Sequence, residues 1–225
     1  MFRIADEPLS WATSMTAFQI AVAALDYAAV FVFAATGALA AARNRHDIVT
    51  FGFFAAVTGV GGGTLRDLLI GAPVFWVQRP DYLIVCLVTA VAVWVFGPQR
   101  FRERALIWLD ALGLSAYCVV GSAKALAAGV GPLPAIVMGV LTAAIGGVIR
   151  DIIAQHPSVL LRREIYVTAA LAGSTVFVLL QLAGLELLPA GIAGFVVAMG
   201  LRGAAILLKL SLPGFNARDD GAAEN

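Results

Sequence analysis

Charge is scarce in this sequence. Of 225 residues only 13% are Asp, Glu, Lys or Arg, while 61% are apolar and the mean hydropathy is +0.92. A soluble domain is about half apolar and a quarter charged, so these values exclude an ordinary water-soluble domain. The net charge of +1 comes without a basic patch, which removes nucleic acid as a partner. Cysteine is nearly absent as well. Cys86 and Cys118 both lie in apolar runs and read as small core residues, not as a disulfide or a metal site. The two histidines, His46 and His156, fall at loop ends without ligand-like spacing, so no tightly bound metal is expected. Arg3, Asp6, Glu7 and Pro8 interrupt the start, and the apolar run after them is too long for a signal peptide, so no cleaved leader is predicted. The polar stretch from Asn216 to Asn225 is predicted to be disordered.

Catalytic constellations are missing too. There is no Ser-His-Asp or Cys-His arrangement, and no His or Glu lies within an apolar run, so an enzyme is not expected. A glycine run is present, but it lacks the Gly-Lys-Ser/Thr ending of a phosphate-binding loop. No cofactor is predicted.

Long apolar runs are what the chain has in abundance. A bilayer core of about 30 Å takes roughly 20 helical residues. Seven stretches qualify: Ile20 to Ala42, Ile48 to Ile70, Tyr82 to Gly97, Ala105 to Ala128, Pro134 to Ile153, Ile165 to Leu185 and Leu187 to Leu208. None alternates as a barrel strand would. The expected fold is an all-α membrane protein. Lys and Arg crowd the loops after spans one, three and five and the tail (Arg43, Arg45, Arg100, Arg102, Arg104, Arg162, Arg163, Lys209, Arg218). The N-terminus and the other loops hold Arg3 and Arg79. This bias places the N-terminus outside and the C-terminus in the cytoplasm.

The chain also repeats itself. Displaced by 84 residues, Leu25-Asp26 falls on Leu109-Asp110, Gly37 on Gly121, Thr58 on Thr142, Gly62-Gly63 on Gly146-Gly147, Arg66-Asp67 on Arg150-Asp151, Pro73 on Pro157, Arg79 on Arg163 and Tyr82 on Tyr166. Matches of Asp, Arg, Pro and Tyr in one register point to a duplicated three-span unit followed by a seventh span. The predicted units are an extracytoplasmic segment 1–18, a first repeat 19–97, a second repeat 104–185, a seventh helix 187–210 and a cytoplasmic tail 211–225. Three spans per unit is odd, so the second unit is expected to be inverted, with a substrate or ion path at the interface between the two.

The glycines and charges locate that path. Gly61, Gly62 and Gly63, followed by Thr64, lie in the middle of span two, and Gly146 and Gly147 lie in span five. Each interior glycine costs about 1 kcal/mol relative to alanine, and two readings follow. In the first the helices break, and the freed carbonyls face a cation such as K+ or Na+ while the freed amides suit a carboxylate. In the second the glycines let helices pack closely. The break is the reading preferred here, because Arg66-Asp67 and Arg150-Asp151 follow immediately. Neighbours on a helix point about 100° apart, so neither pair is expected to close on itself. A charged path and salt bridges between the repeats are both open readings for these four residues. Asp26, Asp110, Lys124 and Arg202 belong to the same charged set, as path-lining or repeat-bridging residues; the plainer readings are that Asp26 and Asp110 stabilise the first turns of spans one and four, that Lys124 snorkels outward, and that Arg202 meets a carboxylate or a lipid phosphate.

Together these motifs resemble the prokaryotic trimeric intracellular cation channels. The likeness rests on Leu25-Asp26 with Gly37, on Thr58 through Asp67 with Pro73, on Asp110 to Leu114 with Gly121 and Lys124, and on Gly146 to Asp151 with Pro157 and Tyr166. It runs from about Leu25 to Pro213. The resemblance implies seven helices, a homotrimer in a prokaryotic plasma membrane, and one pore inside each protomer. It implies permeation by K+ and Na+, with spans two and five kinked at their glycines and lining the pore, and contacts with membrane lipid. Ile145 stands where a third glycine of the second motif would be. Related bacterial sequences are also described as glycine transporters, so a carrier of a small neutral amino acid is the alternative.

Overall fold

The computed structural model describes residues 10–96, 103–156 and 165–211. The start of the chain up to residue 9, Arg100, Arg102, Arg162, Arg163, Arg218 and the polar tail lie outside these residues. Among the described residues eight helices follow one another: α1 (Ser10–Arg43), α2 (Ile48–Leu69), α3 (Phe75–Gln78), α4 (Asp81–Phe96), α5 (Glu103–Ala127), α6 (Pro132–Ile153), α7 (Val167–Leu182) and α8 (Leu187–Leu208). Five of them are long and apolar enough to cross a membrane: α1 from Ala23, α2, α5 from Ala105, α6 and α8. α4 and α7 are apolar but shorter, at 16 residues each. The short α3 has no counterpart among the seven predicted spans.

Local chemistry sets where the helices begin and end. Asp47 caps α2 by accepting the backbone N–H of Thr50 at 2.8 Å, and that hydrogen bond holds its carboxyl below the usual range. Pro132 opens α6, where its missing N–H costs nothing. The turns at the ends of α2 and α5 use Gly71 and Gly129 in the left-handed conformation. Gln155 and Arg45, which lie 84 residues away from these glycines, adopt the same conformation. The turns of the two halves therefore match in backbone shape even where the residue differs.

Small side chains let the helices approach closely. Ala29, Ala34, Ala38, Ala55, Ala143 and Ala169 are fully buried, whereas Phe31, Phe53, Ile84, Trp94, Leu171 and Ile192 point outward. Small residues inside and large apolar ones outside is the arrangement expected where lipid, not water, surrounds the bundle. Cys86 and Cys118 are buried and unpaired in this core.

α2 and α6 pack against each other and join the two halves. Both run as uninterrupted α-helix across their glycines, so the predicted break at Gly61–Gly63 and Gly146–Gly147 is not present. The glycines serve the contact instead. A Cβ on Gly62 would run into the carbonyl of Thr142, and one on Gly146 would lie 2.5 Å from the carbonyl of Thr58. Gly37 and Gly121 repeat the pattern one layer away, each with its Cβ position 2.6 Å from the hydroxyl of Thr58 and Thr142 respectively. Backbone meets backbone at the junction, and each contact in one half has its reciprocal in the other.

This packing generates a stability prediction. Gly62→Ala and Gly146→Ala should each destabilise the protein by about 1–3 kcal/mol, the usual cost of forcing extra atoms into a packed core. Gly200→Ala in α8, whose Cβ would meet nothing, should leave melting in detergent unchanged or raise it. Equal melting of all three variants would show that the α2–α6 contact is not close.

Candidate functional site

Two clusters of buried charge flank the α2–α6 contact. The first is built by α1, α2 and α5 with the strand of chain around α3. Asp26 on α1 is 2% exposed, and its Oδ2 accepts from the Lys124 ammonium at 2.6 Å and from the Tyr82 hydroxyl at 2.8 Å. Lys124 sits on α5, so this ion pair ties the second half to the first. Nearby, the Arg66 guanidinium donates through Nε and Nη2 to Oδ1 of Asp67, at 2.9 and 2.7 Å. The other carboxylate oxygen of Asp67 accepts the backbone N–H of Phe75 at 2.9 Å. Aromatic rings surround these charges. Tyr27 and Tyr82 stack with centroids 4.2 Å apart, and the Phe75 ring lies 4.9 Å from the Lys124 ammonium.

The second cluster is built by α5, α6 and the start of α7. Arg150 donates to Asp110 from Nη1 at 2.8 Å, and to Asp151 from Nε at 2.9 Å and from Nη2 at 2.8 Å. Tyr166 is buried beside them, and the Arg202 guanidinium of α8 lies over its ring at 5.2 Å. Arg202 also reaches the carbonyl of Ile165 at 3.5 Å. Gly147 supplies the space between α6 and this cluster, since a Cβ there would come within 3.0 Å of the Tyr166 hydroxyl.

Several expectations change. Arg66 and Arg150 do close on the aspartates next to them. The Cα–Cβ vectors diverge, but an arginine has four rotatable bonds and a guanidinium fork, and it curls round the helix to reach a short neighbour. Both arginines are almost fully buried, at 1% and 2%, so neither faces a wet path or a lipid headgroup in this conformation. The ion pairs of Asp67 and Asp151 with the arginines next to them lie within their own halves, and Lys124 and Asp26 form an ion pair between the repeats. Lys124 does not snorkel outward, because a buried carboxylate and a ring face lie within its reach. Asp26 and Asp110 are not first-turn residues. They lie 16 and 7 residues beyond the first residues of α1 and α5, and they serve as counter-charges. Arg202 is buried at 3%, with a tyrosine ring and a carbonyl beside it.

Of the predicted glycines, Gly62 and Gly146 form the helix contact, Gly63 and Gly147 make room for Phe75 and Tyr166, and a Cβ on Gly61 would be only 3.3 Å from Ile149. Thr64 donates to the carbonyl of Val60 at 2.7 Å and accepts from the Trp76 indole at 2.8 Å. The sequence reading missed Phe75, Trp76 and Tyr117, whose hydroxyl donates to the Gly59 carbonyl at 3.0 Å. It recorded Tyr82 and Tyr166 as repeat markers without giving them a function. Tyrosines and a Phe-Trp pair beside intramembrane charges were the available signal.

The bridging pair can be tested by a double-mutant cycle. Lys124→Met and Asp26→Asn should each lower stability, because each leaves an unpaired partner in a largely dry site, at a cost of up to about 3–5 kcal/mol for full burial. The double variant should melt closer to wild type than either single variant. Strictly additive losses would mean the two side chains do not act on each other.

A family model described as glycine transporter matches twice, over residues 23–98 and 107–182, with the same displacement of 84 residues as the internal repeat. The UPF0126 inner membrane protein YadS of Escherichia coli is 40% identical over 201 residues, covering 88% of this chain and 97% of the relative. Among solved structures, a trimeric intracellular cation channel orthologue from Rhodobacter sphaeroides is 45% identical with a TM-score of 0.81, over 84% of this chain and 99% of that one. A second structure, solved to explain conductance through cation channels of the same kind, is 29% identical with a TM-score of 0.77, over 85% of this chain and 96% of that one. Sequence identity and backbone agree over nearly the full length, and this chain is a multi-pass membrane protein of the prokaryotic trimeric intracellular cation channel family.

Proposed function

We propose that this protein is a passive channel for monovalent cations, K+ and Na+, and not an enzyme. In this reading it is a homotrimer in the inner membrane of a prokaryote, with one pathway inside each protomer. The observation that carries the proposal is the 45% identity, over 84% of the chain, to the Rhodobacter sphaeroides cation channel orthologue. The site supports it physically. Buried charges cluster beside the contact between the two halves, and charges kept within a bilayer mark ion pathways.

The proposed membrane topology has seven spans: α1, α2, α4, α5, α6, α7 and α8. Sixteen residues of helix reach about 24 Å, so α4 and α7 would span with help from their flanks. The proposed inversion of the repeats is supported by Phe33 and Tyr117, which are 84 positions apart and stack on each other at 5.2 Å. A residue touches its own counterpart only beside a two-fold axis. The reciprocal Gly62–Thr142 and Gly146–Thr58 contacts point the same way. An extracytoplasmic N-terminus and a cytoplasmic C-terminus follow from the loop arginines. The proposed pore is lined by α2 and α6 and runs past Asp26 on α1 and Lys124 on α5, with bilayer lipid around the trimer. The glycines allow these helices to bend when it conducts.

A second reading has one observation in its favour: the matched family model is described as a glycine transporter. A buried arginine whose Nη1 has no acceptor, as in Arg66, is chemically suited to an amino acid carboxylate. Planar-bilayer recording of the purified protein, set beside liposome uptake of labelled glycine, separates the two. Unitary K+ or Na+ currents far above carrier turnover and indifferent to glycine are the expected result. Saturable glycine uptake without unitary steps would replace the channel with a carrier.

A further inference from the structure

The chain between α2 and α4 does more than turn. Its short helix α3 folds back onto the end of α2 and is fastened at three points. The first is Asp67 Oδ2, which accepts the Phe75 N–H at 2.9 Å. The second is Thr64, whose hydroxyl accepts from the Trp76 indole at 2.8 Å. The third is the Phe75 ring. Its centroid lies 4.9 Å from the Lys124 ammonium and 5.9 Å from the Arg66 guanidinium carbon, and it meets Tyr82 edge-on at 4.8 Å. One ring therefore stands over two cations that belong to different halves of the molecule. Ring faces attract cations, more strongly where water is scarce.

Gly63 accommodates that ring. A Cβ at this position would lie 2.6 Å from Phe75 Cε1, so any other residue would push α3 away. The segment is set between Gly71, at φ +68°, and Pro80, and carries Pro73 within it. Phe75 and Trp76 are half-buried, whereas Val77, Gln78 and Arg79 are exposed. The second repeat has Val159 and Leu160 at the corresponding positions, and neither has a ring to offer a cation.

The geometry points to a lid. α3 closes one mouth of the pathway, and Phe75 is a positioning residue that keeps Lys124 on Asp26. When α3 lifts, the ring leaves both cations, the ammonium is held by Asp26 alone, and the mouth opens. The inference rests on the cation-channel reading for its electrical test, but not for its structural one.

Phe75→Ala removes the ring, and Gly63→Ala displaces it while leaving it intact. The two changes are chemically opposite yet have the same predicted effect. In the full-length trimer, each should raise single-channel open probability by about tenfold, the size expected from losing one or two ordinary contacts. Each should also speed deuterium exchange at the Phe75 amide, which Asp67 now protects. Phe75→Tyr keeps a ring and should stay near wild type. Thr64→Val removes the Trp76 acceptor, together with the hydroxyl's own bond to the Val60 carbonyl inside α2, and should shift both readouts in the same direction, so it serves if either first variant fails to assemble. Wild-type open probability and wild-type exchange in both Phe75→Ala and Gly63→Ala would overturn the lid. If the unmodified protein passes no current, the channel reading falls, and amide exchange alone then decides whether α3 is a lid.

Discussion

A guanidinium inside a bilayer has to be solvated by the protein itself, and this requirement shapes both halves of the molecule. Arg66 and Arg150 are among the largest fully buried side chains. An uncompensated charge at that depth costs several kcal/mol. Each arginine has a carboxylate one residue away, so the counter-charge is present as soon as the helix forms. What remains after that pairing attaches the neighbouring elements. The spare oxygen of Asp67 holds the backbone of Phe75 and thereby α3. The spare nitrogen of Arg150 holds Asp110 and thereby α5. The charges inside the membrane are thus fixing points for the short connection in one half and for a whole helix in the other.

The second constraint is the close approach of α2 and α6. Lipid offers no hydrophobic drive for helices to associate, so contact depends on packing and on short-range polar attraction. Glycines that place a carbonyl where a side chain would be let the two backbones meet at Gly62–Thr142 and Gly146–Thr58. The same absence of side chains costs helix propensity in water, and in sequence it looks like a break. Inside lipid a broken helix must leave its backbone groups with protein or water, and in this conformation packing competes successfully with breaking. The Gly61–Gly63 run therefore reports on neighbours that the sequence does not reveal.

Much of the framework was legible in one dimension. Periodic duplication, apolar run lengths and the Asp26/Asp110 and Tyr82/Tyr166 correspondences all follow from residue identity at fixed spacing. The family model matches with the same 84-residue displacement. The partners were not legible. Whether Arg66 bends toward Asp67 or extends to another helix depends on rotamers and on what fills the adjoining space. Lys124 lies within reach of Asp26 only because α5 packs on α1, a contact 98 residues apart in sequence. α3 escaped because four residues between two prolines carry no periodicity to detect. Its location was nevertheless marked by a Phe-Trp pair next to an intramembrane Arg-Asp.

Duplication gave two similar scaffolds, and substitution has made them mechanically unequal. Position 40, the counterpart of Lys124, is alanine, so the first half sends no ammonium to the second in return. In the second half Arg150 binds Asp110 and Asp151 within that half, all three at or below 11% side-chain exposure. The first cluster instead contains an ion pair that spans the junction, with the Lys124 side chain 27% exposed. Attraction between charges weakens as water approaches, and an ammonium that can rehydrate loses less on leaving its partner than one sealed in a dry core. Any motion that separates the halves has to break the Asp26–Lys124 pair but can leave the Arg150–Asp110 and Arg150–Asp151 pairs whole. The second cluster can therefore stay fixed while the first, with the Lys124 of one half on the Asp26 of the other and its aromatic cover, supplies the moving contacts.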